Sequence, residues 1–138
     1  MPDITGQLEN PQQIEVFVSG PEDANRLYHC SGMAPASIGA YSNPNGARIT
    51  YSFRIGPTLS RREFVRATAS ISFATTSFYE FDGTSGMSFG IENVEADWDD
   101  EAQQTEVRFD LFASSENLNA TVAKVSYQVT ILAAVAVA

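Results

Sequence analysis

The stretch ARITYSFRIG, Ala47 to Gly56, places Ile49, Tyr51, Phe53 and Ile55 at every second position, with Arg48, Thr50, Ser52 and Arg54 between them. Successive side chains of an extended chain point to opposite faces, so this spacing describes a strand with one face in a core and the other in water. The same period of two recurs on both sides. EFVRATASISFATTS sets Val65, Ala67, Ala69, Ile71 and Phe73 inward, and TEVRFDLFA does the same with Val107, Phe109, Leu111 and Ala113 against Glu106, Arg108 and Asp110. Nearer the start, QQIEVFVSG groups Ile14, Val16 and Val18 and leaves Phe17 on the opposite face. No long helical period competes with these runs.

One run changes phase within itself. Met87, Phe89 and Ile91 hold odd positions, whereas Val94, Ala96 and Trp98 hold even ones. A residue inserted near Asn93, a β-bulge, keeps both halves facing one core; otherwise a strand ends at Glu92 and another begins. Turn chemistry separates the runs: SNPNGA at Ser42–Ala47 favours a tight reversal, with weaker signals in FDGTSG, Phe81–Gly86, and SSENLN, Ser114–Asn119. Seven or eight strands so spaced predict an all-β chain, a single-domain antiparallel two-sheet β-sandwich of jelly-roll or Greek-key type spanning 1–138.

Composition narrows the function. The 138 residues carry 17 acidic and 8 basic side chains, a net charge of −9, which opposes binding to nucleic acid or to an anionic membrane surface. Charged residues make up 18%, few for an average domain, so part of the surface is expected to be covered by neighbours. The first residues, MPDITGQLEN, resemble no secretory leader, and the continuously apolar run Ile131–Ala138 is far shorter than a membrane span. A cytoplasmic location, or a place in an assembled particle, is the expectation. A single cysteine, Cys30, rules out an internal disulfide, and the glycosylation pattern Asn119-Ala120-Thr121 has meaning only on a secretory route.

Candidate chemistry is thin. GMSFG, Gly86–Gly90, has the letters of a nucleophile elbow, but Ser88 sits in a strand alternation with no helix after it, and the only histidine, His29, precedes it. His29 and Cys30 are adjacent and so point to opposite faces of a strand, a poor thiol–imidazole pair and too few ligands for zinc. The acidic stretch from Glu92 to Glu101 contains Asp97, Asp99 and Asp100, oxygen donors in principle for calcium, but lacks the glycine and distant glutamate of an EF-hand loop. It reads as a solvated loop, and its carboxylates lack the cleft an acid–base pair needs. Trp98 beside it, with Tyr79 and Phe81, offers a surface for stacking a sugar ring. Its alternation with Val94 and Ala96 favours the core. Arg61, Arg62 and Arg66 form the one basic cluster, a solubilising patch or a dock for the acidic loop of another copy.

The closing run SYQVTILAAVAVA carries no charge from Ser126 to Ala138. From Thr121 onward the odd positions Ala123, Val125, Tyr127, Val129, Ile131, Ala133, Val135 and Val137 are apolar, and from Leu132 the even ones are too, so the last seven residues expect protein on both faces. Eighteen extended residues span roughly 60 Å, more than the diameter of about 35 to 40 Å of a domain this size. Such a strand either tucks into its own fold or packs on a neighbour. The second is the expectation, with 131–138 an interface strand and Ile131, Leu132, Val135 and Val137 its contact residues.

The sequence therefore predicts a non-catalytic assembly subunit that self-associates or docks in a larger particle, with no catalytic residues, metal or cofactor. The alternative is a ligand-binding module for carbohydrate, calcium-assisted, at Trp98 and the acidic loop; an enzyme is the third and least supported reading.

Overall fold

The computed structural model describes residues 2–17, 24–80 and 85–135. After a single 3-10 turn at Thr5–Gln7 come eight strands: β1 (Glu9–Phe17), β2 (Ala24–Ala34), β3 (Ile38–Tyr41), β4 (Ala47–Ile55), β5 (Phe64–Glu80), β6 (Gly86–Asp99), β7 (Gln104–Glu116) and β8 (Leu118–Val135). They form two antiparallel sheets. The small one has the order β4-β7-β6. In the large one β8 is central: β5 runs along one edge of it, while β2 and then β3 share the other, and β1 lies outside β2. This is the expected all-β, two-sheet sandwich.

The core sits between the central strands. Val107, Phe109, Leu111 and Ala113 of β7 are completely buried, and they face Val125, Tyr127, Val129, Ile131 and Ala133 of β8, at most 1% exposed. Aromatic rings bridge the sheets: Phe53 lies 4.9 Å from Tyr127 and 6.4 Å from Phe109, centroid to centroid. At about 25 cal/mol per Å² of apolar surface, each such ring contributes a few kcal/mol on burial.

Bulges keep imperfectly alternating strands on one core. β6 is continuous, and its register against β7 slips between Glu92 and Glu95 with Asn93 at φ 53°, so the phase change in the sequence is a bulge rather than a strand end. A second phase change, in β8, escaped the sequence reading. Leu118, Ala120 and Val122 are buried at even positions and Val125 onward at odd ones, because the register against β5 slips between Val122 and Lys124. Ala123 is thus not an inward residue in step with Val125. A third slip puts Asn10 at φ 50° between Glu9 and Gln12.

Four other expectations are corrected. Val65 is 51% exposed, because a bulge between Phe64 and Arg66 gives the inward place to Phe64. Ser52 is not wet but 4% exposed: the N-terminal segment pairs with it, through Ile4 N–H to the Ser52 carbonyl (2.9 Å) and Ser52 N–H to the Pro2 carbonyl (3.0 Å). Ile14 and Val16 are exposed, because they stand in register with His29 and Leu27 on the outer face of the large sheet; their expected partner Val18 lies outside the described residues. The Ser42–Ala47 turn, closed by Gly46 N–H to the Asn43 carbonyl (3.2 Å), carries the chain from one sheet to the other rather than forming a hairpin. A second crossing, β7 to β8, takes one residue, Asn117 at φ 57°.

Candidate functional site: strand edges and the two outer faces

The chemistry suggested by the sequence does not converge. Ser88 is an exposed residue within β6, opposite Ser114, on the small sheet. His29 lies on the large sheet, with Nδ1 3.0 Å from Thr130 Oγ1, so the two belong to opposite sides of the sandwich. Cys30 points inward, 2% exposed, and its Sγ donates a long hydrogen bond to Gln13 Oε1 at 3.7 Å. Burial pushes the thiol up to about 11.

The raised value sets a sign for stability. Between the ordinary value of 9.0 and about 11 the unfolded chain loses the Cys30 proton while the folded chain keeps it, so the stabilisation is complete below pH 9 and is lost as pH rises toward 11. Burial raises the Tyr127 hydroxyl in the same direction. Denaturant melts from pH 7 to 11 should therefore show a falling alkaline limb that is shallower in Cys30→Ala. An unchanged slope would remove the thiol from the balance.

The acidic stretch is mostly strand rather than the expected solvated loop: Glu92 to Asp99 belong to β6, and only Asp100 and Glu101 lie in the turn that follows. Asp97 Oδ1 accepts from Trp98 N–H (2.8 Å), Asp99 Oδ2 accepts from Ala102 N–H (3.3 Å), and Asp99 lies 3.8 Å from Arg54. Among the described residues no three histidine, cysteine or carboxylate side chains gather as a metal would require. Trp98 is half-buried; its indole N–H donates to the Leu59 carbonyl (2.9 Å) and Arg61 lies over its ring at 5.8 Å. Trp98 lines a shallow depression of about 320 Å³ with Arg61, Phe64, Val65 and Asp97. Tyr79 is far from it, at the other end of β5, and Phe81 lies outside the described residues. The grouping of Trp98 with Tyr79 and Phe81 does not form.

The tail is bound within its own domain. Ile131 pairs with Tyr28 of β2 and Ala67 of β5, and is fully buried. It is thus a core residue rather than a contact residue. Leu132 and Val135 are partly exposed, and Val137 lies outside the described residues. What remains outward is a row across the large sheet, Val16–Leu27–Leu132, in direct register.

The outer faces of the sheets differ in charge. On the small sheet Arg48 reaches Glu92 (2.6 Å), Asp110 accepts from Thr50 (2.6 Å) and Asn93 (2.8 Å), and Arg108 meets Glu106 (3.3 Å). The Thr50 hydroxyl, then the Asn93 amide, hold the Asp110 carboxyl below its usual range. On the large sheet Arg66 stands beside Leu132, but the central rows are hydroxyls and amides. Ser31, Ser70, Ser72, Ser126 and Gln128 line a polar depression of about 280 Å³ at its centre.

The edges differ too. β4 carries Arg48 and Arg54 and is capped by the N-terminal segment; β6 carries Glu92, Glu95 and Asp97 and is bulged; β5 carries Arg66 and two stretches of broken register; β3 is only four residues long. Each is a recognised guard against stray pairing. β1 has less. Ile14, Val16 and Phe17 are 63%, 41% and 64% exposed, Glu15 is engaged by Arg26 (3.0 Å) and Glu9 by Lys124 (2.7 Å), leaving Pro11 and the bulge at Asn10, both at the strand's start, as its only guards among the described residues. No helix among the described residues is long and apolar enough to cross a membrane. Comparison with known families, curated proteins and solved structures finds no match.

Proposed function

We propose that the chain is a non-catalytic assembly subunit that pairs with a second copy of itself through β1. The supporting observation is the outer half of that strand: an edge with three exposed apolar side chains and its carboxylate already neutralised, in a molecule whose other edges are charged, capped, bulged or short. Edge-to-edge pairing satisfies the free backbone groups of β1, and the Val16–Leu27–Leu132 row extends the contact onto the outer face. The contact so placed replaces the inner face of the tail. It uses Leu132 but not Ile131. Separation of Ser88 from His29 on opposite sides of the sandwich argues against catalysis by that pair.

Light scattering tests this on the full chain and on the double variant Ile14→Lys, Val16→Lys. Both side chains are solvent-exposed, so the variant should fold. The full chain is expected at twice or a higher multiple of 15.0 kDa, and the variant at 15.0 kDa. A monomeric full chain, or an oligomer indifferent to both lysines, overturns the proposal.

A further inference from the structure

At the end of the large sheet farthest from Leu132, β8 brings together two tyrosines from distant parts of the chain. Asn119 pairs with Tyr41 of β3 on one side and with Tyr79 of β5 on the other, so all three side chains leave the same face in one row. Tyr41 is 66% exposed and Tyr79 68%. The next row toward the middle of the sheet is Gly39–Thr121–Ser77. Gly39 has a particular use there: a Cβ at that position would lie 2.7 Å from Tyr41 Oη and 2.9 Å from its Cζ. The missing side chain lets the Tyr41 ring lie back along the sheet and turn a face to solvent.

From these positions we propose that Tyr41 and Tyr79 form a two-ring platform for an uncharged, ribbon-like polysaccharide such as a β-linked glucan, a function separate from pairing through β1. Two strand spacings set the backbone positions that carry the rings about 10 Å apart. A flat β-linked chain turns the same face of every second sugar the same way, with a repeat of similar length, so alternate sugars can rest on the two rings. The C–H face of a pyranose is apolar and weakly positive, which suits the negative face of a tyrosine ring. Asn119 lies under the intervening sugar and supplies both an amide donor and an acceptor, while Thr121 and Ser77 supply hydroxyls. The six named residues carry no charge, in contrast to the outer face of the small sheet, so the floor suits a neutral polyol better than a charged peptide or nucleic acid.

Electrophoresis of the full chain through native gels containing hydroxyethylcellulose tests this, with Tyr41→Ala, Tyr79→Ala and Trp98→Ala run alongside and circular dichroism checking that each is folded. The wild-type protein is expected to be retarded, each tyrosine variant to lose about tenfold in affinity, and Trp98→Ala to bind like wild type. No retardation of the wild type overturns the proposal. Retardation that survives both tyrosine substitutions also overturns it. If the tyrosine variants instead change the mass measured by light scattering and the wild type ignores the polymer, the row is a contact between copies and the proposal fails. Because the lysine variant of β1 leaves this row untouched, its behaviour in the same gels separates failure here from failure of the assembly reading.

Discussion

A chain ending at Thr130 is expected to lose most of its stability rather than to dissociate into well-folded monomers. The missing segment begins with Ile131, which lies fully buried between Tyr28 and Ala67 and ends against Gly56, where a Cβ would lie 2.5 Å from its Cδ1. Truncating a buried isoleucine to alanine costs about 2 to 5 kcal/mol. Here Ala133 is lost with it, along with the ladder that holds Arg26 and Phe64 and the Ala134 N–H bond to the Glu63 carbonyl (2.7 Å). Against a typical total of about 5 to 15 kcal/mol, the loss should lower the melting temperature by at least about 15 °C or abolish the transition. Thermal melts by circular dichroism, with Ile131→Ala as the smaller step, check it. A shortened chain that melts like the full one, and converts an oligomer to a monomer, would mean that the tail's place in the core is filled by a neighbouring copy.

That result also bears on what the sequence could tell. The two-faced apolar end was legible, but only its inner face is covered within the chain, Leu132 and Ala134 remaining partly exposed; the strands that flank it were not legible, because local alternation carries no information about them. The partners of Ile131 on the flanking strands, Tyr28 and Ala67, are more than sixty residues of chain away from it. The same gap explains β1. Ile14 and Val16 alternate as cleanly as Val107 and Phe109, yet the first pair is exposed and the second buried, because Ile14 and Val16 share the outer face of the large sheet with His29 and Leu27, whereas Val107 and Phe109 face the other sheet. Period fixes which residues share a face, whereas sheet order decides whether that face is covered. The tyrosine row is less legible still. Tyr41 and Tyr79 meet only through their common register on Asn119, and the sequence reading attached Tyr79 to Trp98 instead. The shift at Ala123 was within reach: Leu118, Ala120 and Val122 on even positions followed by Val125 and Tyr127 on odd ones is the same signal that placed the bulge at Asn93.

The bulge itself supports the sharpest contrast. Deleting Asn93 is expected to be tolerated, and deleting Arg108, which pairs with Glu95 on β7 just past the bulge, is expected to unfold the protein. Without Asn93 the strand reads Ile91, Glu92, Val94, Glu95, Ala96, Asp97, Trp98, a regular alternation in which Val94 can pair with Phe109 between the existing pairs Glu92–Asp110 and Glu95–Arg108. No inward residue turns outward. What is lost is the Asn93 amide bond to Asp110 (2.8 Å), an exposed contact worth about 1 kcal/mol. Removing the left-handed backbone of a non-glycine residue offsets part of that. In β7 there is no spare residue. Val107, Phe109, Leu111 and Ala113 are all fully buried, and β7 is paired on both sides, with β4 and with β6. Losing Arg108 therefore turns either Val107 or the run from Phe109 to Ala113 toward water, each large side chain costing about 3 kcal/mol or more and the total exceeding the stability of an ordinary domain. Urea melts of the two single-residue deletions read the difference directly: a midpoint near wild type for the first and no cooperative transition for the second. Equal damage from both would mean that the bulge carries a role beyond keeping the two halves of β6 in phase.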